Sequence, residues 1–479
     1  MKILVCCAIT AWAACISICY AADALVGEAY VVMDQKALDL HINEIPGTDS
    51  YETKKTQAIT KAQADIQYIF SETNKILSTL EAYGVNFQVK LRAVRILDTN
   101  VFPSYTLLNG RVISDVTALN LYSRWLTQQE AYAQNKYDFA VLLTGSDISG
   151  SADLSTTGVA TIGTICNPLN ALSVIEYNGT YSTVVINAHN IGLLLGTTNG
   201  GAASDRIMAF ANAPKHKNRW NFDECNAFDI KEFLPSLKTN CLLDTSSAST
   251  TPVSSYATYS GRLFDSNVIC ERTLNDTRSY TCLSTNLYNN GTAKGDAICQ
   301  QLYCQWPGTP YCIPAFPSDG MICDNRKRCD KGKCVADTSA TSATVDSECV
   351  LGDQKRLVLP RFPFNGTCPE FIAQEGRSMC YNSVIENFCC ATCKRYKTNI
   401  LGCEYGDKNY QCPSLEKSIA CSSNNAAVCC STCNGAVRKR STREDISPYS
   451  IRDDSHREAH IFEGFKARFQ DFSKKPRYE

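Results

Sequence analysis

The sequence predicts an α/β sandwich, a mixed sheet covered by long helices, followed by a string of small disulfide-rich modules. Three observations predict it. Cysteine is spread unevenly: of 27 in the chain, residues 23–245 hold three and residues 270–433 hold twenty. Strand-like and helix-like runs alternate along residues 23–245, the pattern of helices packed on a sheet. That first stretch is long enough to bury a sizeable core, whereas the short units after it need bridges to fold.

Residues 1–22 carry Lys2, a long apolar run and small residues at Ala21 and Ala22. They read as a secretory signal peptide rather than a membrane anchor. No later stretch has the roughly eighteen apolar residues of a spanning helix. The mature chain is therefore expected to be secreted, extracellular and without a membrane span. Four cysteines fall in the signal, leaving 23, and an odd count leaves one without an intramolecular mate. Four N-x-[ST] sequons, at Asn178, Asn275, Asn290 and Asn365, fit glycosylation in the same compartment. The net charge of −1 gives no electrostatic case for nucleic acid.

Within residues 23–245, residues 29–33 and 86–96 are β-rich. Residues 54–83 contain neither Pro nor Gly and place Ile59, Ile66, Ile69, Phe70, Leu77 and Leu80 at helical spacing. Residues 137–144, YDFAVLLT, predict a buried strand, and residues 159–166 an edge strand. Residues 183–195 predict a buried helix, and residues 229–234 a short final one.

Residues 184–209 read VVINAHNIGLLLGTTNGGAASDRIMA. A metzincin protease places H-E-x-x-H-x-x-G-x-x-H here, then a Met-turn. Its helical histidines sit one turn apart on one face, and the Glu is the base for the zinc-bound water. His189 keeps the first position. Asn190 stands at the Glu position, and Leu193 and Asn199 at the second and third ligand positions; Gly196 and the Met-turn, Ile207-Met208-Ala209, remain. Leu donates nothing to a metal, and Asn190 cannot accept a proton as Glu does. Zinc and peptidase activity by the usual mechanism are not expected. The competing reading is a zinc endopeptidase with a non-standard set, His189, His216 and Asp205, which still lacks the Glu base.

Residues 158–196, with GEAYVVMD at 27–34, ECNAFDIKEFL at 224–234 and NCLLD at 240–244, resemble the catalytic domain of the adamalysin (ADAM and ADAM-TS) metalloproteases. The likeness covers nearly all of residues 26–245 and implies a metzincin-like sandwich. It also implies a structural calcium site formed by Glu28, Asp138, the Cys241 carbonyl and Asp244, all oxygen donors as calcium requires. The plainer alternative for Glu28 and Asp138 is a pair of solvated or salt-bridged carboxylates. The same resemblance implies a Cys166–Cys241 disulfide. The family's usual partner for Cys225 is missing, so Cys225 is the expected odd cysteine, with two fates open: a buried inert thiol or an intermolecular disulfide. The family's zymogens carry a long pro-domain; here the first strand closely follows the signal, as expected of a domain that needs no inhibition.

Residues 246–260 form a Ser/Thr linker. The eight cysteines of residues 261–338 resemble the disintegrin-like module that follows ADAM-TS catalytic domains. Eight cysteines allow about 105 pairings, so none is assigned, and a zinc cluster is disfavoured by the missing histidines. Residues 345–396 and 399–435 form an internal repeat. Each unit has six cysteines and ends in C-C-x-T-C, FCCATC and VCCSTC. Both resemble PLAC modules, although the gap from Cys349 to Cys368 is long for one. Residues 436–479 lack cysteine and read as a disordered tail. One short amphipathic stripe, Phe462, Phe465, Phe469 and Phe472, fits a docking helix. Arg438-Lys439-Arg440 reads as a solvated basic cluster or a processing site. The sequence as a whole predicts a secreted, catalytically inactive protein that acts as an extracellular matrix component, or as a binding or decoy protein for extracellular matrix or secreted proteins.

Overall fold

The computed structural model describes residues 24–101, 115–129, 137–148, 157–198, 205–209, 218–243, 265–283, 295–309, 311–337, 349–359 and 364–433. The predicted signal, the 246–260 linker, the tail with its Phe stripe, and Asn199, His216, Asp244 and Asn290 lie outside these residues.

Five strands form the first domain's sheet: β1 (Leu25–Met33), β2 (Phe87–Ile96), β3 (Phe139–Thr144), β4 (Gly158–Ala160) and β5 (Leu172–Glu176). Their order is β2-β1-β3-β5-β4. All neighbours pair in parallel except β4, which runs antiparallel along the edge beside β5. Period-2 alternation sends side chains to two cores. Ala29, Val31 and Met33 of β1 and Phe139, Val141 and Leu143 of β3 face one of them. Tyr30, Val32, Ala140 and Leu142 face the other. The first core lies under α1 (Gln35–Glu44), α2 (Tyr51–Leu77), α4 (Ser182–Leu194) and α5 (Glu224–Phe233). The second lies under α3 (Asp115–Leu126). The sheet is thus mixed and covered on both faces, as the alternating pattern predicts.

Several boundaries differ from expectation for local reasons. Helix α2 starts at Tyr51 because the Ser50 side chain caps it, and it tightens to a 3-10 turn over Ser78–Tyr83 that ends on left-handed Gly84. The edge strand stops at Ala160. Residues 161–166 are turn rather than strand, since Gly163 and Cys166 take positive φ there. The last helix begins five residues earlier than expected, at Glu224, where Asp223 and Asn226 form a reciprocal capping box. Helices α1 and α3 and strand β5 have no counterpart in the sequence reading.

Eleven disulfides join 22 of the 23 cysteines beyond residue 22. The eight-cysteine module pairs Cys270–Cys304, Cys282–Cys312, Cys299–Cys329 and Cys323–Cys334. It carries the hairpin of β6 (Leu302–Gln305) and β7 (Cys312–Ala315), and a three-stranded sheet of β8 (Ile322–Asp324), β9 (Lys327–Asp330) and β10 (Lys333–Ala336). The two six-cysteine repeats share one connectivity, first to fifth, second to fourth, third to sixth. They also share a clamp. Asp353 accepts hydrogen bonds from the Thr392 amide and hydroxyl, at 3.0 and 2.6 Å, and Asp407 does the same with Thr432, at 3.0 and 2.6 Å. The long first gap of repeat 1 holds an extra hairpin, Leu357–Leu359 with Phe364–Gly366.

The modules pack on one another. Tyr405 of repeat 2 sits in the core of repeat 1, edge-on to Tyr381 and donating to Glu386 at 2.6 Å. Arg272 of the eight-cysteine module grips Glu44 of α1 through two 2.7 Å bonds. Arg219 is buried between the first domain and this module, donating to the Gln300 carbonyl at 2.7 Å and lying 3.9 Å from the Trp220 ring centroid.

Candidate functional site

Helix α4 is buried on nearly every side, so it lies within the core rather than on it. It crosses behind β5 and the edge strand, and the metzincin-like positions project from it in sequence. His189 is half-buried, and its Nδ1–H donates to the Ile207 carbonyl at 2.8 Å. Ile207 opens the Met-turn, so the contact that would orient a first zinc-binding imidazole is kept.

The next position is committed elsewhere. Asn190 is 1% exposed. Its amide donates to Ser173 Oγ of β5 at 2.9 Å and to the Val159 carbonyl of β4 at 3.4 Å. The side chain at the general-base position therefore ties the helix to the two strands at the sheet edge. One turn on, Leu193 is 8% exposed and belongs to the apolar core, placing methyl groups at the second ligand position. Asn199 lies outside the described residues. The donors present do not fit a catalytic zinc: one imidazole and one aliphatic side chain cannot make the three-ligand set. Of the alternative set, Asp205 accepts from Asn218 Nδ2 at 2.8 Å, and His216 lies outside the described residues.

The scaffold around these positions is intact. Met208 is 1% exposed under the helix. A Cβ on Gly192 would come within 2.7 Å of Met208 Sδ and 2.9 Å of Phe222, so the Met-turn packs directly on the helix backbone. Gly196 has a φ of +88°, and a Cβ there would meet Phe233 at 2.7 Å. Both a left-handed turn and close packing by α5 require glycine at that point.

Ser173, fully buried, is a site residue that sequence reading missed. The signal was present, since a lone hydroxyl within the apolar run 171–175 needs a partner.

Glu28 and Asp138 stand side by side on β1 and at the start of β3, 8% and 9% exposed. Asp138 Oδ2 accepts the Glu28 amide at 2.8 Å, and Arg92 Nη1 lies 3.8 Å from Glu28 Oε2. The Cys241–Leu243 turn packs against β1, and Cys241 is bonded to Cys166 with an S–S distance of 2.05 Å. Two buried carboxylates and a carbonyl-bearing turn suit a hard cation, although Arg92 already shares the charge of Glu28. Asp244 lies outside the described residues. Cys225 is in none of the eleven disulfides and is exposed in the first turn of α5, so the buried-thiol fate does not hold. Three other sulfurs, of Cys299, Cys323 and Cys329, lie within 4.8 Å of one another, but each is in a disulfide and offers no thiolate. Asn275 and Asn365 are exposed. The carboxamide oxygen of half-buried Asn178 accepts from the Thr180 amide and hydroxyl.

Residues 110–246 match the reprolysin (M12B) family of zinc metalloproteases. The chain is similar to a disintegrin and metalloproteinase with thrombospondin motifs 1 from Mus musculus, 26% identical over 51% of this chain and 26% of that protein. It is also similar to thrombospondin-motif members 15 and 4 from Homo sapiens, 28% and 26% identical over 52% and 45% of this chain and 25% of each relative. The chain thus spans about a quarter of the length of these relatives. Among solved structures, metalloproteinase-II from Bacteroides fragilis aligns at 16% identity over 44% of this chain and 54% of that one, with a TM-score of 0.28, too low to support any argument. Among the described residues, no helix is long and apolar enough to cross a membrane.

Proposed function

We propose that this chain is a secreted, adamalysin-like protein whose reprolysin domain is catalytically silent and which acts by binding extracellular matrix or other secreted proteins. The observation that carries the reading is the engagement of Asn190 with Ser173 and Val159, beside Leu193 in the core. A carboxamide held by the sheet does not take a proton from water, and an aliphatic side chain does not bind zinc. Its cysteine-rich modules, disintegrin-like and PLAC-like in their spacing, would supply binding surface. Calcium held by Glu28, Asp138, the Cys241 carbonyl and Asp244 would tie the two ends of the domain together.

The test is gelatin and casein digestion by the purified secreted protein, with and without chelator, alongside its zinc content by elemental mass spectrometry. The expected result is no chelator-sensitive cleavage and no stoichiometric zinc. Tightly held zinc with chelator-sensitive cleavage overturns the reading.

A further inference from the structure

The eight-cysteine module closes over carboxyl groups at its boundary with the reprolysin domain. Asp319, in the turn before β8, is 3% exposed, and Glu72 of α2 is fully buried. The Asp319 carboxylate accepts the Lys331 amide at 3.0 and 3.1 Å. The Tyr181 hydroxyl also donates to it, at 3.3 Å. Tyr181 is the residue from which α4, the helix of His189, begins. One Glu72 oxygen pairs with Lys75 at 2.6 Å, while Oε2 is buried and makes no hydrogen bond. Two buried acids thus lie on opposite sides of the boundary, and Lys75 forms its ion pair with Glu72 rather than with Asp319.

We propose that Asp319 and Glu72 form a proton-operated latch: with a proton on the pair the eight-cysteine module stays docked on the reprolysin domain, and with both carboxyls ionised it loosens. Burial, aided by the Glu72 charge, pushes Asp319 up to about 7. Burial also raises Glu72, against the pull of Lys75. The groups facing the pair are Tyr68 and Lys75 from α2, Tyr181 at the start of α4, and Asp330 and Lys331 from the module itself. Asp65 acts on Tyr68, and Arg219 on Tyr181, from further along the boundary. Undocked, Asp319 returns to water and to the carboxylate range near 4. Docking therefore takes up a proton. It is fully favoured below about pH 4 and weakens by up to about tenfold per pH unit as pH rises toward 7.

Trp220 reports on docking, because it is 1% exposed and a Cβ on Gly332 of the module would lie 2.5 Å from its ring. Acrylamide quenching is measured between pH 4.5 and 8 on the full secreted protein carrying Trp125→Phe and Trp306→Phe. The expected result is quenching of Trp220 that rises with pH toward and through neutrality. Asp319→Asn, neutral at every pH, flattens the curve and keeps Trp220 shielded at pH 8. A parent curve that does not change with pH, or an Asp319→Asn curve that matches the parent, overturns the latch. Glu72→Gln is the second variant. Removing the like charge lets Asp319 ionise more easily while docked, so docking weakens over a narrower pH span and Trp220 is quenched less at pH 8 than in the parent; quenching equal to the parent's counts against the proposal even where Asp319→Asn fails to fold.

Discussion

Asn190 Nδ2 lies 2.9 Å from Ser173 Oγ, so the helix position that would carry a general base instead fastens α4 to β5. Both partners are buried, and each satisfies a polar atom that water cannot reach. Replacing Asn190 by Leu strands the Ser173 hydroxyl. A loss of about 1–3 kcal/mol in unfolding free energy is expected. Denaturant titration of the variant measures it, and a variant as stable as the parent contradicts the assigned role.

The contact between Gly192 and the Met-turn makes a second prediction. Gly192→Ala drives a methyl toward Met208 Sδ at 2.7 Å and Phe222 at 2.9 Å. Overpacking of this kind costs about 1–3 kcal/mol. The melting temperature should fall by several degrees. An unchanged value means that the Met-turn gives way freely.

Calcium is expected to stabilise the first domain through Glu28 and Asp138. Ligand at a hundredfold over its Kd adds about 2.7 kcal/mol. Chelation should lower the melting temperature and calcium should restore it, with Asp138→Asn removing the response. If chelation shifts nothing, the Arg92–Glu28 pair at 3.8 Å is the whole arrangement.

His41 gives a pH prediction. It is 1% exposed and donates to the Tyr177 hydroxyl at 2.8 Å, and that hydroxyl in turn donates to Asp65 at 2.8 Å. Burial, with the Arg272 and Lys61 charges, pushes His41 down to about 4. The unfolded chain binds this proton near 6.5, so between about 4 and 6.5 it holds more protons than the folded one. Stability is intact above about pH 6.5 and falls on acidification through about 4, by roughly 3 kcal/mol in all. His41→Gln keeps a donor for Tyr177 and should flatten this acid limb in calorimetry. An acid limb as steep as the parent's rules His41 out as its source.

Much of this was legible in the sequence because the signals were local. The buried strand YDFAVLLT, the long helix ending at Gly84 and the C-C-x-T-C repeat each carry their pattern within one segment. What escaped depended on distant partners. Strand β5 hides in a short apolar run whose direction is set by β3 and β4. The Asn190–Ser173 bond spans two elements, and the Glu72–Asp319 boundary spans two modules. Residues 161–166 look β-rich, yet the edge strand ends at Ala160 and Cys166 turns at a φ of +68°.

The Tyr405 ring belongs by sequence to repeat 2 and by packing to repeat 1. It lies twelve residues beyond Cys393, the last cysteine of repeat 1, and none of that repeat's three bridges involves it. All three bridges of repeat 1 can therefore close around a hollow that its own residues do not fill. Oxidation and completion of that core become separate events in time. A chain stopped between Cys393 and Tyr405 would carry every bridge of repeat 1 and still leave Tyr381 without its ring partner.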